Sequence, residues 1–555
     1  MIAKCLPYKN SADSTIRKQI LKILRNFPFH PLLWAVFPPL ALLGNNISQV
    51  PPGDAVRSLL VSFILSLVLW VIYRPVMGSW RKSAIVASAT LVLFFSYGHI
   101  YQLIEDKLIL GFNIGRHRFL IPLFVLMLVF IIVWTIRRKD LPGITAVLNI
   151  IGLLVLILPA YQIISYEIKT SPLLAGTPQE NLLAQVTDLQ NPSGNQAPDI
   201  YYIILDTYTR ADTLSTYFTY DNSSFLTSLK SQGFYIADCS QSNYSYTALS
   251  LASSLNFNYL NTLNPNLTST VTDETDIYPY LFNNSVVYTL RQLGYQFVAF
   301  ESGYSPTEFT NADTYYSQES DLLGIFWEDG INPFEAMQLN TSAGMFIYEL
   351  SPHFPARVQQ FLSLDTAYVV HRNRILYTLN RLERIASLPG PKFVFVHILA
   401  PHNPFVFGPN GEYIERKTPF TLNDDRDVVT LEDYIAGYDD QVTYLNQRVL
   451  SIIEQLITGS AVPPVIILQG DHGVPRLPGW NDTILNAYFL PGGGENLLYQ
   501  GISPVNSFRV VFDQYFGGQL PLLPDQSCTT DAKTNPFGCT PEIDPNPQCV
   551  AVKNR

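Results

Sequence analysis

Five apolar stretches in the N-terminal third of this 555-residue chain constrain its fold more than any other feature of the sequence. Each is about long enough for a tilted transmembrane helix of ~17 to 25 residues. They cover residues 31–47, 56–77, 83–104, 119–136 and 144–165. Because the bilayer core offers no water to unpaired backbone groups, an apolar segment of this kind crosses it as a helix. The sequence therefore predicts an α-helical membrane domain, residues 28–168, with five transmembrane helices.

The charges that flank these stretches predict the orientation of the chain. Lys and Arg are concentrated before the first stretch, after the second and after the fourth, and loops of that composition stay in the cytoplasm. The polar, basic segment 1–27 is too long for the lead of a cleavable signal peptide. An odd number of spans then places the rest of the chain outside. We expect a multi-pass protein of the cell membrane with an extracytoplasmic catalytic domain.

Composition divides the remainder of the chain into three parts. Residues 169–198 are rich in Pro, Gln, Asn, Ser and Gly without apolar periodicity, which is typical of a linker. Residues 199–524 are long enough for one globular domain, and short apolar runs alternate there with segments of helical periodicity such as 438–456. This alternation predicts a mostly parallel sheet covered on both faces. Residues 525–555 form a Cys- and Pro-rich tail, which we expect to be loosely ordered.

Four of the five cysteines, Cys239, Cys528, Cys539 and Cys549, lie in the predicted outer part, where disulfides persist. An even set of four permits three pairings, and the sequence does not choose among them. Four free thiols are the alternative, because the last three lie in the tail. A net charge of -10 argues against a nucleic-acid partner, which would call for a basic stripe.

Two predicted strand ends carry ligands for a metal ion. The apolar run 465–468 is followed by Asp471 and His472, and the run 200–205 is followed directly by Asp206. Strand ends of this kind meet at one edge of an open α/β sheet, where ligands bind. We predict that Asp206, Asp471 and His472 hold a divalent ion. For Asp206 the alternative is a helix N-cap.

Thr247 is the candidate nucleophile. The apolar positions of residues 243–255 fit one face of a helix, and Thr247 lies near its start. A threonine hydroxyl is a poor nucleophile until it is deprotonated, and coordination to a divalent cation lowers its pKa. A helix N-cap or a solvent-facing hydroxyl is the alternative. The metal-binding residues elsewhere in the chain favour Thr247 as nucleophile and as a fourth ligand.

Three further residues are candidates for contact with the substrate. His402 lies in a Pro-flanked loop after the apolar run 393–399, where a rigid loop holds an imidazole for acid catalysis. His397 lies inside that run and is predicted to bind substrate or, equally, to be a core histidine. Glu301 follows the apolar run 295–300, a strand-end position like that of Asp206.

These motifs together resemble the sulfatase-like branch of the alkaline phosphatase superfamily. The resemblance rests on residues 198–206, 247–250, His402 and 470–473, and covers essentially all of 199–524. Five spans followed by an outer catalytic domain are similar to lipoteichoic acid synthases and phosphoethanolamine transferases. In those families a metal-bound threonine takes a phosphorylated head group from a lipid and passes it to an acceptor. The resemblance implies Thr247 as nucleophile, Asp206, Asp471 and His472 as metal ligands, and an α/β sulfatase-like outer domain.

The chain departs from these families at two points. Sulfatases carry a Cys or Ser within a Cys/Ser-x-Pro-x-Arg sequence, whereas the nearest pentapeptide here begins with His353. Hydrolysis of sulfate esters through formylglycine is therefore not expected. Lipoteichoic acid synthases have a glutamate where this chain has Asp206, which leaves the choice between zinc and manganese open.

The predicted function is a membrane-bound, metal-dependent transferase of phosphoryl head groups. It would act outside the membrane on a lipid-linked phosphodiester through a phospho-threonine intermediate, with one zinc or manganese ion. Its partners would be a membrane lipid or lipid-linked donor and a glycan or other envelope acceptor, with no nucleic acid. A membrane-anchored hydrolase of phosphate or sulfate esters is one alternative. An inactive envelope-structure or binding protein is the alternative from another class.

Overall fold

The structure is a computed structural model, and the predicted N-terminal segment and linker lie largely outside the residues it describes. The described residues are 24–105, 107–109, 112–113, 116–139, 141–170, 189–191, 197–263, 274–318, 331–350, 353–355, 366–414, 430–474, 482–531, 535–541 and 543–553.

The helices alternate with strands in the second half of the chain but not in the first. In chain order they are α1 His30–Asn46, α2 Val56–Met77, α3 Trp80–Ile104, α4 His117–Arg137, α5 Pro142–Val155, α6 Ile157–Thr170, α7 Ala211–Thr213, α8 Ser223–Ser231, α9 Thr247–Leu255, α10 Leu260–Leu263, α11 Tyr278–Phe282, α12 Ser285–Gln292, α13 Pro333–Asn340, α14 Met345–Leu350, α15 Thr366–Leu382, α16 Leu431–Gly459, α17 Pro504–Phe516 and α18 Pro547–Lys553. The strands are β1 Leu108–Ile109, β2 Phe112–Asn113, β3 Ile200–Leu205, β4 Tyr235–Ile236, β5 Gln296–Phe300, β6 Thr314–Tyr316, β7 Lys392–Ile398, β8 Val465–Gly470, β9 Asn486–Phe489, β10 Cys528–Asp531 and β11 Asn535–Pro541.

The chain folds into two compact units. The first contains Met1–Ile164 and Ile325–Leu364, and the second contains Ser165–Gly324 and Asp365–Arg555. A segment that interrupts the predicted catalytic domain thus belongs with the apolar helices. The predicted domain boundaries stay a prediction.

Within the described residues, four helical segments are long and apolar enough to cross a membrane. They are Pro52–Met77, Trp80–Ile104, His117–Arg137 and Pro142–Thr170. Large apolar side chains on them are exposed, as a lipid-facing surface requires. The first predicted span is the 17-residue helix α1, which contains two prolines. A membrane protein with several apolar helices is therefore supported, but the count of five is not confirmed.

The interrupting segment packs on the membrane helices within the first unit. Helix α13 begins with a capping box. The Asn332 side chain accepts a hydrogen bond from the backbone N–H of Glu335, and the Glu335 side chain accepts one from the backbone N–H of Asn332. Glu335 also forms an ion pair with Arg57, at the start of α2. At Gly98 of α3 the backbones approach so closely that an added Cβ would lie 2.4 Å from the carbonyl carbon of Thr341. The described residues 331–350 of this segment therefore pack against the apolar helices as part of the first unit.

The second unit is built on a seven-stranded sheet with the order β4-β9-β8-β3-β7-β5-β6. Strand β3 pairs in parallel with β7 on one side and β8 on the other, and all three are fully buried. Strand β9 runs antiparallel to β8, so the sheet is mixed. The α/β class is confirmed, and the carboxyl ends of β3, β7 and β8 lie side by side at one edge.

One disulfide resolves the open question of cysteine pairing. Cys239 is bonded to Cys549, so of the three possible pairings only one remains compatible. Cys528 is also disulfide-bonded, which excludes the free-thiol alternative for these three residues. Composition predicts a loosely ordered tail, but a disulfide joins Cys549 of the tail to Cys239 in the body of the second unit.

Candidate active site

Three adjacent strands bring Asp206, His397 and Asp471 together. Asp206 follows β3, His397 is the sixth residue of β7, and Asp471 follows β8. The register aligns Leu205 with Ile398 and with Gly470, so the three side chains occupy one level of the sheet edge. Asp206 is not a helix N-cap, because the next helix begins at Ala211.

The ligand atoms of these residues converge on one small volume. Asp206, His397 and Asp471 each offer an atom that lies within 4.8 Å of the others. Nε2 of His397 is 3.5 Å from Oδ2 of Asp206. Nε2 of His472 is 3.5 Å from Oδ2 of Asp471 and 3.9 Å from Oδ1 of Asp206. Two carboxylates and two imidazoles therefore face one point.

Unsatisfied polar atoms indicate that a cation belongs at this point. Oδ1 of Asp206, Nε2 of His397 and Oδ2 of Asp471 are buried and have no hydrogen-bond partner among the described residues. Leaving such atoms unpaired costs about 1 to 3 kcal/mol each, and more for charged groups. Mixed nitrogen and oxygen ligands suit a borderline divalent ion such as zinc or manganese. The residues present thus fit the predicted metal.

Hydrogen bonds outside the cluster orient these side chains. The Thr207 N–H donates to Oδ1 of Asp471 over 2.9 Å, which leaves Oδ2 directed at the cluster. Nδ1 of His472 lies 2.8 Å from the carbonyl oxygen of Gly473. Because a carbonyl only accepts, Nδ1 carries a proton, and Nε2 is the ring nitrogen that faces the carboxylates. That arrangement suits metal ligation, in which outer partners set the tautomer.

Electrostatics favour the charged form of Asp206. Burial alone would raise the pKa of Asp206, but its electrostatic interactions with the neighbouring His402, His397 and His472 outweigh burial and lower this pKa to about 2. For His472 burial likewise opposes the charged form, and the charges of Asp471 and Asp206 outweigh it and raise its pKa.

Thr247 is the first residue of α9 and is only 7% exposed. The N-cap of this helix is Tyr246, so Thr247 does not serve as the cap. One turn further on, the Ser250 hydroxyl donates to the carbonyl oxygen of Asp471 over 2.7 Å. This bond ties the first turn of α9 to the end of β8.

His402 lies in the loop after β7 and is half-buried. Its N–H donates to the carbonyl oxygen of Asp206 over 3.1 Å, and its own carbonyl accepts from Gln441. Nδ1 of the ring faces the carbonyl oxygen of Asn403. The loop is thus fixed to the end of β3, beside the acidic cluster.

Two basic residues near the cluster were not predicted from the sequence. Arg374 on α15 donates from Nε to Oε1 of Glu301 over 3.0 Å. Gly303, at φ +85°, makes room for this guanidinium, since an added Cβ would lie 2.2 Å from its Nη1. His371 is buried one turn earlier on α15. The spacing of three residues places both on one helix face, but no neighbouring motif marks that face as functional.

The loop after β5 links these residues to the cluster. Oγ1 of Thr307 is 2.9 Å from Nδ1 of His397, and the same loop carries Glu301 and Gly303. The sequence alone is equally compatible with His397 as a core histidine. Its Nε2 instead lies among the possible metal ligands.

Comparison with known families decides the relationship of this chain. A family model described as Sulfatase matches residues 198–508, which is more than half of the chain. The chain belongs to the sulfatase family. This membership supports an enzyme of the alkaline phosphatase superfamily and agrees with the α/β sheet and with the position of Asp206 and Asp471 at its edge. A comparison of the sequence with curated proteins finds no match.

Several solved structures are similar to this sulfatase-family chain at low identity. The C-terminal periplasmic domain of EcEptC from Escherichia coli is 15% identical, with a TM-score of 0.40, over 66% of this chain and 98% of that chain. Lipooligosaccharide phosphoethanolamine transferase A from Neisseria meningitidis is 14% identical, with a TM-score of 0.35, over 89% and 96%. The lipoteichoic acid synthase LtaP from Listeria monocytogenes is 12% identical, with a TM-score of 0.32, over 65% and 81%.

Proposed function

We propose that this protein transfers a phosphoryl head group from a lipid-linked phosphodiester outside the membrane. The observation that carries the proposal is the buried cluster of Asp206, His397 and Asp471, whose ligand atoms have no hydrogen-bond partner among the described residues. Sulfatase-family membership and apolar helices long enough for a membrane support it.

The metal site would use Asp206, Asp471 and His472 with Thr247, and it would hold one zinc or manganese ion. Such an ion supplies positive charge that stabilises the developing oxyanion and lowers the pKa of a hydroxyl beside it. His397 is proposed to act on the metal side of the site, because its Nε2 is 3.5 Å from Oδ2 of Asp206. This replaces the predicted contact of His397 with substrate.

Thr247 would carry the transferred group between two displacements at phosphorus. In the first, the Thr247 hydroxyl loses its proton to solvent, its oxygen bonds to phosphorus, the bond to the lipid oxygen breaks, and His402 gives a proton to the leaving oxygen. In the second, an acceptor hydroxyl loses a proton to His402 and displaces Thr247. A glycan or another envelope component would supply that hydroxyl, whereas water would make the enzyme a hydrolase.

Arg374 would bind the anionic oxygens of the phosphodiester. Its guanidinium is held at the end of β5 by Glu301, so the predicted substrate-binding role of Glu301 would be exerted through Arg374. His371 would stay neutral there, because burial and then the charge of Arg374 lower its pKa to about 3.

The orientation proposed is five spans with the catalytic domain outside the cytoplasm. The Arg57–Glu335 ion pair supports it. Glu335 belongs to the chain after the last span, so Arg57, at the first turn of α2, must lie on the same side of the membrane. A lipid-linked donor suits an enzyme anchored in this way.

The test is release of head group from lipid phosphodiesters in mixed micelles by the full-length protein. We expect turnover that chelators remove and that zinc or manganese restores, and we expect none from Thr247→Ala. Thr262→Ala changes an exposed threonine elsewhere in the second unit and is the matched control. Full activity of Thr247→Ala would reject the nucleophile. Cleavage of a sulfate ester, with no phosphoester turned over, would replace the proposal by a sulfatase without formylglycine.

A further inference from the structure

The C-terminal tail contacts both loops that carry the proposed catalytic residues. We define the C-terminal clasp as residues 525–549, of which 525–531, 535–541 and 543–549 are described. One loop follows Asp206, and the other precedes Thr247. No step of the proposed reaction uses the clasp.

On the Asp206 side, a buried ion pair joins the clasp to the loop. Arg210 lies four residues after Asp206, and its two terminal nitrogens donate to Asp544 over 3.0 and 2.9 Å. The side chains of Arg210 and Asp544 are 4% and 1% exposed. Asp212 accepts from the same guanidinium and from Asn546 of the clasp. Asp544 and Asp212 together compensate the charge of the buried guanidinium, so these contacts hold the loop at Arg210.

The same loop is also held at Thr207. Thr207, next to Asp206, has φ 59°, a conformation that β-branched residues rarely adopt. Its carbonyl accepts from Tyr438 and its N–H donates to Asp471. The loop is therefore held at Thr207 by Asp471 and by Tyr438 of α16, and at Arg210 by the clasp, with only two residues between.

On the Thr247 side, the clasp pairs with the segment that leads into α9. The Cys528 N–H donates to the carbonyl oxygen of Asn243 over 3.0 Å. Oδ2 of Asp482 accepts from Ser527 of the clasp over 3.0 Å and from Ser245 over 2.9 Å. Asp482 thus bridges the clasp to a residue two positions before Thr247.

The disulfide closes the clasp at its far end. Cys549 is bonded to Cys239, which begins the segment that runs through Asn243 and Ser245 to Thr247. The segment is consequently fastened to the tail at both ends. Cys239 and Cys549 are 310 positions apart in the sequence, and Arg210 and Asp544 are 334 positions apart.

We propose that the C-terminal clasp positions Asp206 and Thr247 relative to each other, with Asp544 and Asp482 as positioning residues. The inference rests on the proposed function, in which these two residues act at one metal ion. Neither positioning residue touches substrate. Asp544 holds the loop after Asp206 through its ion pair with Arg210. Asp482 holds the segment before Thr247, because one of its carboxylate oxygens accepts hydrogen bonds from both Ser245 and Ser527.

Binding of Co²⁺ to the metal-depleted full-length protein tests this without any substrate. Absorption bands of bound Co²⁺ report the arrangement of its ligands. We expect Asp544→Asn to change the bands and to weaken Co²⁺ binding by up to about 10- to 100-fold, the range for losing a partner bonded directly to a metal ligand. Ser527→Ala removes one hydroxyl and leaves the buried ion pair intact. It should shift both readouts in the same direction by less, and it serves if Asp544→Asn does not fold.

Glu383→Gln is the matched control. It breaks an ion pair of 2.9 Å with Arg448 that involves neither loop, so the Co²⁺ bands and affinity should equal those of the wild type. In turnover of a phosphodiester, kcat should fall most in Asp544→Asn, less in Ser527→Ala and not at all in Glu383→Gln. For Asp544→Asn we expect kcat to fall about 10-fold or more, with KM little changed.

The outcomes separate the two proposals. Wild-type bands and affinity in both clasp variants would overturn the inference and leave the clasp a structural fastening. Altered bands in a protein that turns over no phosphoester would sustain the inference and reject the proposed function. A wild-type protein that binds no Co²⁺ would overturn the metal site and both proposals with it.

Discussion

His371 makes the stability of the second unit depend on pH. Its side chain is 1% exposed, and its pKa is lowered to about 3 by burial and then by the charges of Arg374 and His402. The unfolded chain binds a proton at His371 near the ordinary pKa of 6.5, whereas the folded chain does not until about pH 3. The stability contributed by the neutral imidazole is therefore complete above about pH 6.5 and is lost as the pH falls towards 3.

The size of this effect follows from the difference between the two pKa values. Each pH unit within the window changes the free energy of unfolding by about 1.4 kcal/mol. From pH 7 to pH 5 the loss due to His371 is about 2 kcal/mol, and over the whole window it approaches about 5 kcal/mol. His371→Gln keeps a polar side chain of similar length but removes the titration.

Urea unfolding of the full-length protein in detergent, repeated at pH 7, 6 and 5, measures this difference. The free energy of unfolding of the wild type should fall by about 2 kcal/mol more than that of His371→Gln between the extremes. His353→Gln is the control, because His353 is exposed. Equal pH dependence in the wild type and in His371→Gln would refute the burial argument.

Two further predictions concern other contacts of the two units. Gly303→Ala should displace the Arg374 guanidinium and raise KM for a phosphodiester, because the new Cβ would lie 2.2 Å from its Nη1; Gly294→Ala, at a similar φ of +84° in open space, should leave KM unchanged. An unchanged KM in Gly303→Ala would argue against Arg374 as an anion-binding residue. Glu335→Arg should lower the Tm of the protein in detergent and the added change Arg57→Glu should recover much of the loss, since the double reversal restores an ion pair. Additive losses in the double variant would contradict the pair.

The strands of the second unit were largely predictable from the sequence. The predicted run 200–205 coincides with β3, and the other three central runs lie within two residues of β5, β7 and β8. Strands that are buried on both faces read as continuous apolar runs, which local composition reveals. Because residues at the ends of such strands share one edge, the proximity of Asp206 to Asp471 and His472 followed as well.

The position of His397 was not predictable in the same way. All seven residues of β7 are buried, so the sequence carries no alternation of polar and apolar residues that would say which side chains face the site. Only the register with β3 and the orphaned Nε2 distinguish His397 from a core histidine.

Contacts between segments that are distant in the chain could not be predicted from the sequence. Arg210 and Asp544 are 334 positions apart, and neither lies in a motif. The return of helix α13 to the membrane unit is equally nonlocal, because its pairing with Arg57 depends on the fold and not on local composition. The first predicted span is not confirmed, for a local reason. Helix α1 has only 17 residues and contains Pro38 and Pro39.

The central claim is that Thr247 carries the phosphoryl group. Mass spectrometry of the full-length protein, quenched in acid during turnover of a lipid phosphodiester labelled in its head group, measures this directly. We predict an adduct with the mass of the phosphorylated head group on the peptide that contains Thr247, absent from Thr247→Ala and from protein stripped of metal. Sustained turnover with no adduct on that peptide, or an adduct on another residue, would contradict the account.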